Sequence, residues 1–368
     1  MKTILLISPY WKEPHRWMVS SVKLAELWQR LGYRVVAVCM GSATGKEVIS
    51  PTLTLYRVRD LFLPDPFNYG IAPTFLFHIL RALKEEKPDL VVINKVLFWT
   101  SLVTPILRLM GKNPIVLTDA LVGMTWWPRS VLLRFIACVM AWLIGWPVLL
   151  SASKIVFFHP QPEKWLRRLG IAKKSRVIPT GIDMRSYQRS AISDQYKEVT
   201  VTYVGRLESV KGVDDFLAAA VPLKKELPEM RIQIAGWHKE RHPLVGKYSS
   251  DVDFLGLRND VAEIFAKTNI FVLPSYSEGL SNALMEAMAS GCACIASRVG
   301  GNTFLIEEGT SGLLFTPSNR EELQKHLLDL IKDGNRREAL GQNARKRIES
   351  MFSWDIVGKK YATLFGDV

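Results

Sequence analysis

Cysteine is scarce, with four in 368 residues. Cys292 and Cys294 stand two apart in one apolar run, and Cys39 and Cys138 fall in other apolar runs. That spacing builds neither a disulfide framework nor a zinc site, and it reads as buried thiols in a reducing compartment. The opening MKTILLISPYW lacks the long apolar core and small-residue cleavage site of a secretory signal, and reads as a first buried strand. Internal repeats and low-complexity tracts are lacking as well. The scarcity with most consequence is that of acid. Residues 1–180 carry 24 Lys and Arg against 10 Asp and Glu, a balance of +14, while the remainder of this +13 chain carries 24 against 25. One half of the protein therefore faces something anionic, with nucleic acid and an anionic membrane as the two candidates.

What is present is enough apolar material for two domains, 48% of the chain. TILLIS, RVVAVCM, LVVIN, PIVLTD and KIVFFH are short β-prone runs separated by helix-like segments such as SSVKLAELWQRLG, which ends on Gly32 as a helix C-cap does. A second series follows in VTVTYVG, MRIQIAG, VDFLG, IFVLPS and CACIAS. Each series predicts a parallel sheet covered by helices, and two Rossmann-like α/β halves are the simplest account. The junction falls in VIPTGIDM, residues 177–184, where Pro179 and Gly181 break the pattern. The final FSWDIVGKKYATLF reads as an amphipathic helix.

The second half carries the chemistry. GRLESVKG follows a strand, with Gly205 and Arg206 at the strand end and Lys211 and Gly212 opening the next helix. Ligands of such sheets sit outside the carboxyl ends of the strands, where two fixed cations suit a diphosphate. In SYSEGLSNALMEAMASG, Glu278 and Glu286 stand with seven residues between them around a helix start capped by Ser281 or Asn282. Unpaired backbone N–H groups there hold phosphate oxygens, and Gly279 admits the ligand to the backbone. The two carboxylates suit the hydroxyls of a vicinal diol. A diphosphate flanked by two diol readers describes a nucleotide sugar.

EGLSNALMEAMASG, with GRLESVKG and the later SRVGG, resembles the signature of retaining GT-B glycosyltransferases of the group 1, or family 4, type, including its pair of glutamates with seven residues between them. Glycogen synthases and many lipopolysaccharide and phosphoinositide glycosyltransferases belong to that group. The likeness runs from about residue 175 to 360. It implies a GT-B fold, two Rossmann-like domains facing a central cleft: an acceptor domain over 1–178, a donor domain over 179–352, and a helix over 353–368 crossing back to the first. It further implies that Arg206 and Lys211 hold the donor diphosphate, that Glu286 binds the ribose and Glu278 the donor sugar, and that Gly279, Leu280, Ser281 and Asn282 offer backbone N–H groups. Leu257 is then near the base. The implied reaction retains configuration by attack on the face from which the diphosphate leaves, with no cofactor and no metal, the positive charge coming from Arg206 and Lys211. The Asp-Val-Asp at 251–253 reads as a surface turn, not a metal motif.

The first half departs from that family. Its loop YWKEPHRWMVSS has no glycine where relatives have two, leaving His15 and Arg16 as substitute cations or as a solvated loop. Asp119 stands where relatives carry a histidine, as a candidate to orient a donor hydroxyl or the acceptor, and Phe304 stands where they carry a glutamate. These departures leave a second class of reading, an inert GT-B subunit that binds a sugar nucleotide or scaffolds glycan assembly, and a third, a sugar-nucleotide epimerase.

Residues 135–153 form the uncharged run FIACVMAWLIGWPVLLSAS. Its place between two predicted strands of one sheet argues against a spanning helix. Trp142 and Trp146, with Trp126 and Trp127 nearby and the basic EKWLRRLGIAKKSR beyond, favour a helix lying in the membrane interface, the other reading being an ordinary buried helix. No nucleic-acid recognition motif is present, so nucleic acid is not the expected partner. The expectation is a peripheral enzyme on the cytoplasmic face of an anionic membrane, moving a hexose from a donor such as a UDP-sugar or GDP-mannose to a lipid or lipid-linked glycan acceptor.

Overall fold

The computed structural model describes residues 1–12, 19–63, 69–119, 131–187 and 198–366. His15, Arg16, Trp126 and Trp127 lie outside them. The chain divides into two compact units, Met1–Thr180 with Asp355–Val368, and Gly181–Trp354.

The first unit is built on eight strands in the spatial order Ser175–Val177, Lys154–Phe157, Ile115–Thr118, Leu90–Asn94, Thr3–Ser8, Arg34–Gly41, Leu53–Arg59, Gly45–Ser50. All pair parallel except the last, which runs antiparallel along one edge. Central strands such as Thr3–Ser8 and Leu90–Asn94 are buried along their whole length, as strands covered on both faces must be, and so read as unbroken apolar runs. Two edge elements escape that signal. Gly45–Ser50 is exposed and polar, and Leu61–Leu63 with Tyr69–Ile71 forms a short separate hairpin. Helix Phe75–Glu86 turns Phe75, Ile79 and Ala82 inward, at spacings of four and three that keep one face on the core. Helix Trp354–Gly366 also packs in this unit: Tyr361 and Phe365 stand edge-on to Trp28 and tilted against each other, with centroids 5.5–5.7 Å apart.

The run at 135–153 is a helix from Val131 to Ser151, interrupted by a π turn at Ala141–Gly145. Only 17% of the window Arg134–Ser151 is buried, so it is not an ordinary core helix, although by length and composition it meets the requirement for crossing a membrane. The strands on either side, Ile115–Thr118 and Lys154–Phe157, pair directly with each other. The strands before and after the helix therefore belong to one sheet, which argues against a helix that spans a bilayer.

The second unit has six parallel strands in the order Asp253–Gly256, Arg231–Ala235, Thr200–Val204, Ile270–Leu273, Ala293–Ser297, Leu313–Phe315. The sixth, three residues long, went unrecognised in the sequence. Order reverses between Thr200–Val204 and Ile270–Leu273, which makes their carboxyl ends the crevice where an open sheet of this kind binds ligand.

Candidate active site

Both chemical segments of the sequence leave that crevice. The Thr200–Val204 end leads into Gly205–Arg206, then to a short 3-10 turn, Ser209–Lys211, and Gly212. Gly212 has φ 64°, and a Cβ on it would strike the Pro274 carbonyl, so only glycine lets the two loops approach this closely. The Tyr276 N–H donates to the Val210 carbonyl at 2.9 Å and ties them together. From the other side Gly301 donates to the Gly279 carbonyl at 3.1 Å, and the Ser297 hydroxyl to the Ser275 carbonyl.

The loops and the helix start set five charges at the crevice, Arg206, Glu208, Lys211, Glu278 and Glu286. Lys211 Nζ lies 2.7 Å from Glu278 Oε1, the same oxygen that accepts the Ser275 hydroxyl at 2.6 Å. Arg206 pairs with Glu208 at 2.8 Å. Neither partnership was foreseen: the sequence reading gave Lys211 to a diphosphate and Glu278 to a sugar. Ser281 caps helix Asn282–Ala289, its hydroxyl accepting from the Leu284 N–H at 3.3 Å, and Glu286 follows one turn on. Leu280 is buried, Gly279, Asn282 and Glu286 half-buried. Burial first, then the charge of Glu286, pushes the Tyr187 phenol far above its ordinary value. Leu257 stands exposed beyond the outermost strand of this sheet, Asp253–Gly256.

A further residue supports Arg206. Tyr203 is fully buried, and its hydroxyl donates to the Arg206 carbonyl at 2.9 Å. Burial first, then Glu278 and Glu208, hold its phenol well above the ordinary value, so it remains a donor. Tyr187 and Tyr203 were both missed in the sequence, where each reads as one more apolar residue near a turn.

Asp119 lies in the first unit, one residue past Ile115–Thr118, and its carboxylate contacts the Lys95 ammonium. Lys95 likewise stands one residue past Leu90–Asn94.

Two family models cover most of the chain: glycosyl transferases group 1 over residues 186–347, and glycosyltransferase family 4 over residues 19–186. The chain belongs to the group 1 glycosyltransferases. An uncharacterized glycosyltransferase of Methanocaldococcus jannaschii is 31% identical over 202 residues, 51% of this chain and 52% of that protein. The UDP-Gal:alpha-D-GlcNAc-diphosphoundecaprenol alpha-1,3-galactosyltransferase of Escherichia coli is 25% identical, over 60% of this chain and 61% of its own. This group 1 chain spans about half the length of the relatives it matches. Sucrose-phosphate synthase of Thermosynechococcus elongatus superposes with a TM-score of 0.81 at 21% identity, covering 100% and 99% of the two chains, and establishes the fold as GT-B.

In this glycosyltransferase-family chain Phe304, where a glutamate was expected, is a packing residue, its ring edge-on to Phe352 at 5.2 Å. Asp253 is tied to Arg231 at 2.6 Å and Asp251 to the Ser250 hydroxyl, as surface acids are. Among the described residues no three His, Cys, Asp or Glu gather as metal ligands do.

Proposed function

We propose that this protein is a retaining hexosyltransferase that takes a sugar from a nucleoside diphosphate donor to a lipid or lipid-linked glycan. The observation that carries the reading is the grouping of Arg206 and Lys211 with Glu278 and the capped helix of Glu286 at the strand-order reversal of one sheet. Arg206 and Lys211 exchange their resting carboxylates for the diphosphate and neutralise it as the glycosidic bond breaks. A fixed contact of that kind is worth about 3–4 kcal/mol of barrier. Glu286 takes the ribose diol, and Glu278 the sugar hydroxyls. The acceptor hydroxyl attacks the face that the diphosphate leaves and passes its proton to the departing phosphate oxygen, so no enzyme nucleophile and no metal is called on.

A membrane acceptor is supported by the exposed apolar helix and by the lack of any Asp or Glu between Asp119 and Glu163. The lipid-diphosphate acceptor named for the Escherichia coli relative supports the same class. The protein then works at the cytoplasmic face of an anionic membrane, held peripherally.

The test is a thermal-shift and hydrolysis screen of UDP-, GDP- and ADP-sugars against the wild type, Glu286→Ala and Lys211→Ala. A ligand bound only by the folded state raises its apparent stability. Stabilisation by one nucleotide sugar, lost in both variants, names the donor. No stabilisation by any of them, with or without vesicles, gives first place to an inert subunit.

A further inference from the structure

The carboxyl edge of the first unit's sheet holds a charged pair, Lys95 and Asp119, to which the proposed reaction has so far given no role. Strand order in this sheet reverses between Thr3–Ser8 and Leu90–Asn94, with Arg34–Gly41 on one side of Thr3–Ser8 and Leu90–Asn94 on the other. Strand ends at such a reversal open onto the ligand crevice of a parallel sheet. Lys95 emerges there, and Asp119 emerges from the next strand, Ile115–Thr118.

The backbone at this point is unusual. Lys95 has φ 77° and Leu97 φ 69°, left-handed values that are costly for residues with a Cβ and persist only where the surroundings impose them. They are imposed here: the Lys95 N–H donates to the Leu117 carbonyl at 2.8 Å, and Gly145 of the π turn lies against Leu97. Immediately before it, Asn94 is fully buried. Its amide nitrogen donates to Ser20 at 3.1 Å and Ser21 at 2.9 Å, while its Oδ1 has no hydrogen-bond partner among the described residues.

The pair is asymmetric. The Lys95 side chain is 14% exposed and that of Asp119 32%, so the carboxylate is the outer member. Lys95 faces the Phe158 ring, 5.3 Å from its centroid, and the Asp119 carboxylate. His159, next along the edge, is buried and turned to the Pro160 carbonyl and the Gln161 amide. Burial pushes the Lys95 amine down to about 7, and the adjoining carboxylate opposes that shift.

We infer that Lys95 is a positioning residue: it fixes the Asp119 carboxylate at the carboxyl edge of the first sheet to accept a hydrogen bond from a sugar hydroxyl. A carboxylate anchored on one side by a cation presents its remaining lone pairs in one direction, and a hydroxyl is the donor that suits them. The inference rests on the glycosyltransferase reading, and the hydroxyl belongs either to the donor sugar or to the acceptor.

The experiment compares Lys95→Met, Lys95→Arg, Asp119→Asn and the Met/Asn double variant of the full chain. UDP and GDP alone serve as thermal-shift probes, and UDP-glucose, UDP-galactose, UDP-N-acetylglucosamine and GDP-mannose as donors. The nucleotide shifts are expected to stay as in the wild type, while kcat/KM with the active donor falls on the order of tenfold to a hundredfold in Lys95→Met. Lys95→Arg restores part of it, and the double variant is no worse than Asp119→Asn. A rise in KM for donor or for acceptor identifies the source of the hydroxyl. Independently of turnover, competitive acetylation of Lys95 read by mass spectrometry across pH should show a lower midpoint in Asp119→Asn. An unchanged midpoint, or wild-type turnover in Lys95→Met while nucleotides still bind, overturns this inference alone. If no nucleotide or nucleotide sugar binds the wild type, the donor reading falls and takes this one with it.

Discussion

Lys211 and Glu278 hold each other at 2.7 Å, although one has the chemistry of a diphosphate ligand and the other that of a sugar ligand. In the proposed reaction the donor parts them. Lys211→Ala should therefore lower the affinity for UDP or GDP more than tenfold, about 1.4 kcal/mol. Glu278→Gln keeps a partner for the Ser275 hydroxyl and releases the ammonium, so the bare nucleotide binds as well or better, while the preference for the sugar-bearing form is lost. Calorimetric titration with both ligand forms reads this. Equal loss of UDP affinity in the two variants would move Glu278 to the phosphate side.

Tyr203→Phe tests how Arg206 is presented. The variant keeps the ring and removes one O–H, leaving the Arg206 carbonyl without its 2.9 Å bond. A hydrogen bond of this kind contributes about 1 kcal/mol net. The expected result is a melting point a few degrees lower together with a roughly threefold to tenfold weaker nucleotide, since the turn carrying Arg206 loosens. A lower melting point with unchanged UDP and GDP affinity would reduce Tyr203 to a core residue.

The grouping proposed as a donor site was legible because its parts are local: Arg206 and Lys211 share one loop, Glu278 and Glu286 one loop and helix start. The central strands were legible because burial on both faces makes each a continuous apolar run. Gly45–Ser50 was not, since an exposed edge strand carries no such run, and Leu313–Phe315 is too short to show a period. The contact of Lys95 with Asp119 joins the ends of two strands, 24 residues apart, and needs the sheet order before it can be seen. Residues 135–151 carry no charge, so composition did not distinguish an exposed helix from a core one until the surrounding packing was known.

Stability should fall in acid through Glu86. Burial alone would raise this carboxyl, but hydrogen bonds from Tyr56, Lys46 and Arg34 overcome it and hold it down to about 2. Arg34 Nη2 lies at 2.7 Å and Lys46 Nζ at 3.0 Å from its oxygens, joining two strands of the first sheet to the end of helix Phe75–Glu86. Tyr56, pushed up to about 12 chiefly by burial, stays a donor throughout. A depressed carboxylate stabilises the fold above its ordinary value of 4.5 and loses that contribution as the pH falls toward 2. Glu86→Gln should cost about 2 kcal/mol at neutral pH and flatten the decline between pH 4.5 and 2 in urea titrations. An equal slope in both proteins would place the acid sensitivity elsewhere.

The membrane reading makes the sharpest demand on the helix from Val131 to Ser151. Val131, Phe135 and Leu143 are each more than 60% exposed and Trp142 is 51% exposed, a cost in water that burial in lipid would reverse by about 1.5–3 kcal/mol for each large side chain. The end of the helix is joined to the basic segment beyond it. Lys174 Nζ donates to the Leu150 carbonyl at 2.6 Å and the Ala152 carbonyl at 2.9 Å, and Trp146 Nε1 to the Leu169 carbonyl at 3.4 Å. Arg167, Arg168, Lys173 and Arg176 therefore accompany the apolar surface, each worth about 1 kcal/mol beside an anionic leaflet. Flotation with vesicles of phosphatidylcholine plus phosphatidylglycerol should carry the protein at low salt, less of it at high salt, and little with phosphatidylcholine alone. Trp142→Glu with Leu143→Glu should abolish flotation and leave the thermal shift by UDP or GDP unchanged, because both residues belong to the first unit, whereas Arg206, Lys211 and Glu286 belong to the second. Failure to float at low salt, or flotation undiminished in the double variant, would remove the membrane from the mechanism and leave a soluble glycan as the acceptor.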